Sequence, residues 1–159
     1  MAGKVNAIPT GYEGATPYLI INDAARALEF YTRAFGAMEV MRIPTPEGKI
    51  GHAEFKIGTA IVMLADEFPD MNCKSPQSIG GSPVSIMVYV RDVDAFVERA
   101  VSAGAKVTSS VENKFYGDRS GSLEDPFGHH WHFATHIEDV PPGELAIRAE
   151  AFMKHQGGA

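Results

Sequence analysis

Apolar and polar positions along this chain follow two alternating rhythms, one of strand type and one of helix type. Residues 16–22 are mostly apolar and short enough for a single strand, and they end at Asp23, whose carboxylate suits a helix N-cap. Behind it Ala27, Phe30, Tyr31 and Ala34 recur at helical spacing, which predicts a helix over 24–34 that Gly36 stops. Three strand-like stretches follow at 38–43, 49–57 and 60–65. They are separated by Pro44-Thr45-Pro46-Glu47-Gly48 and by Gly58-Thr59, both turn compositions. Within 49–57, Ile50, His52, Glu54 and Lys56 alternate with Gly51, Ala53, Phe55 and Ile57, so His52 and Glu54 share one face of a strand. The order is β-α-β-β-β.

The order then starts again. Residues 84–90 read as a strand, Asp92 caps a helix reaching about residue 103, and Gly104 stops it. Strands at 106–111, 119–124 and 129–135 follow, with 112–118 as a loop and Pro126-Phe127-Gly128 as the last turn. The path from helix stop to last turn runs from Gly36 to Gly58 in the first half and from Gly104 to Gly128 in the second. The agreement lies in the order of elements rather than in their letters, and it predicts an internal duplication of roughly 60 residues. The first module spans 16–65 and the second 84–136, together forming one domain. The stretch 66–83, with three prolines and two adjacent glycines, reads as a linker or lid-like loop. Residues 1–15 read as a loose arm. The tail, 137–159, carries a helix over 144–154 with Leu145, Ala149, Phe152 and Met153 on one side.

Composition narrows the class. Of 159 residues, 45% are apolar, which excludes a disordered chain. A formal charge of −6, from 14 basic and 20 acidic residues, argues against partners such as nucleic acid or anionic lipid. The apolar run at 60–65 falls far short of a membrane span, and the first residues lack the apolar core of a signal peptide. A single cysteine, Cys73, permits no intramolecular disulfide and points to a cytoplasmic protein.

Three stretches carry a resemblance. One is Thr16-Pro17-Tyr18-Leu19, with Asp23-Ala24, Phe30-Tyr31 and Ala34-Phe35-Gly36-Ala37; a second is Gly48-Lys49-Ile50-Gly51-His52-Ala53-Glu54. The third joins Tyr116-Gly117-Asp118-Arg119-Ser120-Gly121 to Asp125-Pro126-Phe127-Gly128-His129, Trp131 and Ala134-Thr135-His136. Together with the tandem β-α-β-β-β order, they resemble the vicinal oxygen chelate superfamily of glyoxalase I, bleomycin-resistance proteins and extradiol dioxygenases, and within it the PhnB-like branch. The resemblance implies an α+β fold in which two βαβββ modules form a curved mixed sheet around a cavity. It also implies a homodimer and a small-molecule ligand.

Metal-dependent members of that superfamily place His or Gln ahead of each helix-capping Asp and Glu on the last strand of a module. Here those positions fall at Thr16 and Ser85, and near Met63 and His132. Thr, Ser and Met are poor donors to a divalent ion, so only His132 is a usable ligand and no metal site is expected. The first expectation is therefore a binding protein that needs no metal cofactor. The alternative is a metal-dependent, lactoylglutathione-lyase-like enzyme, a lyase or isomerase, or a dioxygenase. For chemistry, His52, Glu54 and His132 are the candidates: a carboxylate beside an imidazole supports the charged ring and allows acid–base work. Tyr18, Phe55, Met63, Tyr89, Tyr116 and Trp131 are candidates to line an apolar ligand space. Arg119 either pairs with Asp118 to fix its loop or meets an anionic ligand.

Overall fold

The computed structural model describes residues 5–156. The chain divides into two compact units that meet in sequence at Gly81 and Ser82, each with its own sheet and core.

In the first unit, β1 (Tyr18–Ile21) leads into α1 (Ala24–Phe35), followed by β2 (Met38–Pro44), β3 (Ile50–Ile57) and β4 (Ala60–Asp66). The sheet order is β1-β4-β3-β2, with β1 parallel to β4 and the other pairs antiparallel. Asp23 starts α1 by accepting from the Arg26 amide at 3.2 Å, and Gly36 ends it with φ 64°. The buried stripe Ala27, Phe30, Tyr31 and Ala34 presses on one face of the sheet, where Tyr31 stacks on Phe55 with centroids 4.8 Å apart. Asp66, buried at the end of β4, accepts from the amides of Ala24 (2.8 Å) and Ile50 (2.6 Å), tying helix start and strand start to one carboxylate.

The arm before β1 is tied down: Tyr12 donates its hydroxyl to Glu54, and the backbone at Gly11 lies against Ile61, a buried residue on the sheet face opposite α1. After β4 the chain is more regular than the prolines suggested. A 3₁₀ turn covers Pro69–Met71 and a short α2 covers Pro76–Ile79, with Ser75 as N-cap.

The second unit repeats the order with β5 (Ser85–Tyr89), α3 (Val93–Ala103), β6 (Lys106–Asn113), β7 (Asp118–Glu124) and β8 (His130–His136), in the sheet order β5-β8-β7-β6. Strand β6 continues to Asn113, so the expected loop over 112–118 is shorter, because Glu112 and Asn113 pair with Ser120 and Arg119. Asp92 caps α3 through the Ala95 amide at 3.0 Å. Trp131 and Phe133 fill the core beneath α3, with Phe133 4.4 Å from the Phe96 ring centroid.

Buried Asp125 organises the last turn. Its Oδ1 accepts from the amides of Phe127 (2.9 Å) and His129 (3.0 Å), and its Oδ2 accepts from Trp131 Nε1 (2.9 Å). Helix α4 (Pro142–Gln156) follows; Phe152 packs on Phe115, and Arg148 bridges to Glu138 and Glu144. Gly117, with φ +96°, sits where any Cβ would collide with the carbonyl of Glu138. Among the described residues, no helix is long and apolar enough to cross a membrane.

Candidate functional site

In each unit the helix covers one face of the sheet, and the polar side chains gather on the other. In the first unit that second face carries a continuous hydrogen-bonded chain. Tyr18 Oη lies 2.8 Å from His52 Nδ1, and His52 Nε2 lies 3.1 Å from Glu54 Oε1. The Tyr12 hydroxyl donates to Glu54 Oε2. The strand pairing explains the meeting: His52 and Glu54 alternate with Ala53 on β3, and Met63 on β4 stands between Glu54 and Tyr18 in register. Glu54 is only 6% exposed. The Tyr12 hydroxyl, and after it the His52 ring, hold its carboxyl below the usual range against the opposing effect of burial. The same bond pushes the Tyr12 hydroxyl up, and burial does so for Tyr18.

Beside this chain lies a cavity of about 520 Å³ between the sheet face and the segment after β4, lined by Tyr18, Ile20, Ala65, Phe68, Met71 and Cys73 among others. Its size and apolar walls match those of sites for small molecules.

The second unit has a separate polar group that the sequence reading missed. Asp118, 4% exposed, accepts from Tyr89 Oη at 2.7 Å and lies 2.8 Å from His136 Nδ1, while His136 Nε2 lies 3.0 Å from Asp139. A carboxylate at each ring nitrogen favours the protonated ring, and these two bonds, Asp118 first, push the His136 pKa up. His132 instead bonds Ser122 Oγ at 2.6 Å and borders a smaller pocket of about 210 Å³ with His130, Ser85 and Thr108.

Several expected ligand contacts lie elsewhere. Phe55 and Trp131 are each 0% exposed on the helix-covered face, opposite His52 and His132 respectively, and serve the core. Tyr116 stands on the turn before β7, with its ring edge-on to Phe115. Arg119 does not pair with Asp118. Consecutive strand residues point to opposite faces, and Arg119 clasps Asp94 through two 2.6 Å bonds and reaches Asn113 at 3.0 Å.

A superfamily metal finds a poor donor set at the expected positions. Thr16 and Ser85 offer neutral hydroxyls and Met63 a thioether, and the one imidazole, His132, is hydrogen-bonded to Ser122. Among the described residues, no group of three or more His, Cys, Asp or Glu side chains is arranged to hold a metal ion.

Paired βαβββ modules of this topology define the α+β glyoxalase class of fold. The model of the Glyoxalase/Bleomycin resistance protein/Dioxygenase superfamily matches residues 15–133, and the chain belongs to that superfamily. An uncharacterized protein of Mycobacterium tuberculosis is 43% identical over 145 residues, covering 89% of this chain and 83% of that one. Among solved structures, TioX from Micromonospora sp. ML1 is 27% identical with a TM-score of 0.62, over 81% of this chain and all (100%) of that one. A gene product of Arabidopsis thaliana is 26% identical with a TM-score of 0.61, over 77% of this chain and 98% of that one.

Proposed function

We propose that this chain is a binding member of the superfamily, of the PhnB-like branch, that holds a small apolar molecule on the first sheet beside Tyr18 without a metal. The observation carrying this reading is the apolar cavity of about 520 Å³ bordered by Tyr18, where the hydrogen-bonded chain through His52 to Glu54 begins. The poor donors at Thr16, Ser85 and Met63 support its metal-free character. Acid–base chemistry on the bound molecule is the second reading, favoured by the contact between His52 and Glu54. A homodimer in the cytoplasm, with no nucleic-acid or membrane partner, completes the proposal, in keeping with the negative charge and the lone Cys73.

The test uses the purified full chain, its metal content by mass spectrometry, and titration with 2-methoxynaphthalene. Binding is expected to survive chelator treatment and His132→Ala, and to be abolished by Ala65→Phe, which fills the cavity. Stoichiometric Ni, Zn or Fe lost on His132→Ala would overturn the reading, as would probe binding indifferent to Ala65→Phe.

A further inference from the structure

The direction of each hydrogen bond in the chain on the first sheet is fixed from its far end. An ionised carboxylate only accepts, so Glu54 accepts one hydrogen bond from the Tyr12 hydroxyl and another from His52 Nε2–H. With its Nε2 hydrogen committed, a neutral His52 has only a lone pair at Nδ1, and the Tyr18 hydroxyl must donate to it. Tyr18 therefore has no hydrogen left for a ligand, and its oxygen offers only lone pairs. The other polar side chains bordering the cavity do not change this. Asp66 is occupied by the amides of Ala24 and Ile50, and Cys73 Sγ lies 3.7 Å from the Met71 carbonyl as a weak donor.

We infer that the cavity selects apolar molecules bearing a hydroxyl that donates to Tyr18 Oη, the phenol and naphthol class, over ethers and ketones of the same shape. Tyr18 is the ligand-contacting residue; His52, Glu54 and Tyr12 are positioning residues that set the polarity of its hydroxyl. The inference rests on the reading that this cavity takes a ligand, and it names the ligand's chemistry. An ether oxygen placed at Tyr18 would face lone pair against lone pair, and a carboxylate would in addition carry its charge toward Glu54.

The experiment compares 2-naphthol with 2-methoxynaphthalene, a pair of nearly the same shape. It is run by calorimetric titration at about pH 8, an alkaline condition that favours imidazole over imidazolium. The wild-type chain is expected to bind the naphthol about tenfold more tightly, the scale of one neutral hydrogen bond. The two substitutions should remove this preference in opposite ways. In Tyr18→Phe the naphthol weakens to the level of the ether, whose unchanged binding also shows that the variant is folded. In His52→Phe, which keeps a ring beside Tyr18, the released Tyr18 hydrogen turns outward and the ether tightens toward the naphthol. A role in packing alone would weaken both probes together. Equal wild-type binding of the two probes overturns the inference and leaves the cavity reading standing. Binding of neither overturns both.

Discussion

Replacing Asp125 by Asn tests how the Asp-Pro-Phe-Gly-His turn holds the second core. The native carboxylate accepts from two backbone amides at one oxygen and from the Trp131 indole at the other. Asn keeps the size and one acceptor oxygen, so the amides of Phe127 and His129 can be retained. Its NH₂ group then faces the indole N–H, donor against donor, with both buried. An orphaned buried donor costs about 1–3 kcal/mol, so Asp125→Asn should destabilise by about that much. Asp125→Ala orphans all three donors and should cost at least about 3 kcal/mol, a large share of the roughly 5–15 kcal/mol typical of a domain. Trp131→Phe removes the indole donor and shrinks a fully buried side chain, so its own cost mixes packing with hydrogen bonding. Combining Asp125→Asn with Trp131→Phe separates the two, because the donor clash disappears with the indole. The loss in that double variant should be smaller than the sum of the single losses by about 1–2 kcal/mol. Urea unfolding followed by far-UV circular dichroism measures every variant without relying on the lone tryptophan. Additive losses, or an Asp125→Asn variant within about 0.5 kcal/mol of wild type, would refute this account of the turn.

Two further outcomes follow from the open faces. His136 has its pKa raised in the folded state by Asp118 and Asp139, so its stabilising effect is complete below the unfolded value of about 6.5 and is lost as pH rises through the higher folded value. The stability advantage of wild type over His136→Phe, measured by urea unfolding at a series of pH values, should therefore shrink from about pH 6 upward; a constant difference would contradict the two-carboxylate clasp. Tyr12→Phe removes the leading cause of the low Glu54 pKa, so the Glu54 carboxyl, followed by carbon-detected NMR, should titrate at higher pH than in wild type. An unmoved titration would mean that His52 alone holds the charge.

Where local chemistry decides the structure, the letters were enough. Asp23 and Asp92 cap their helices through amides three residues on, and Gly36 and Gly104 end them in the left-handed region, as residue type and spacing predicted. Alternation also placed His52 with Glu54 on one face of β3. What alternation leaves open is which face a helix will cover. Alternation alone therefore permits Phe55 and Trp131 as ligand-lining residues, whereas they sit opposite His52 and His132 and the aromatic layers under α1 and α3 claim them. The Tyr89, Asp118 and His136 group escaped for another reason. Its members come from β5, β7 and β8, and only the strand pairing brings them together. Reading Asp118 with its neighbour Arg119 followed adjacency in the chain, whereas the pleat sends the two side chains apart.

The tie between Tyr12 and Glu54 has a practical consequence for anyone handling this protein. The buried carboxylate at the base of the polar chain owes its main hydrogen-bond donor to a segment lying ahead of the first strand. Trimming the gene back to the start of the sheet would remove that donor together with the Gly11 backbone that lies against buried Ile61. In that material Glu54 would lose the Tyr12 hydrogen bond and meet water in its place. A preparation shortened past Tyr12 therefore lacks one end of the polar chain and does not report the behaviour of the full chain.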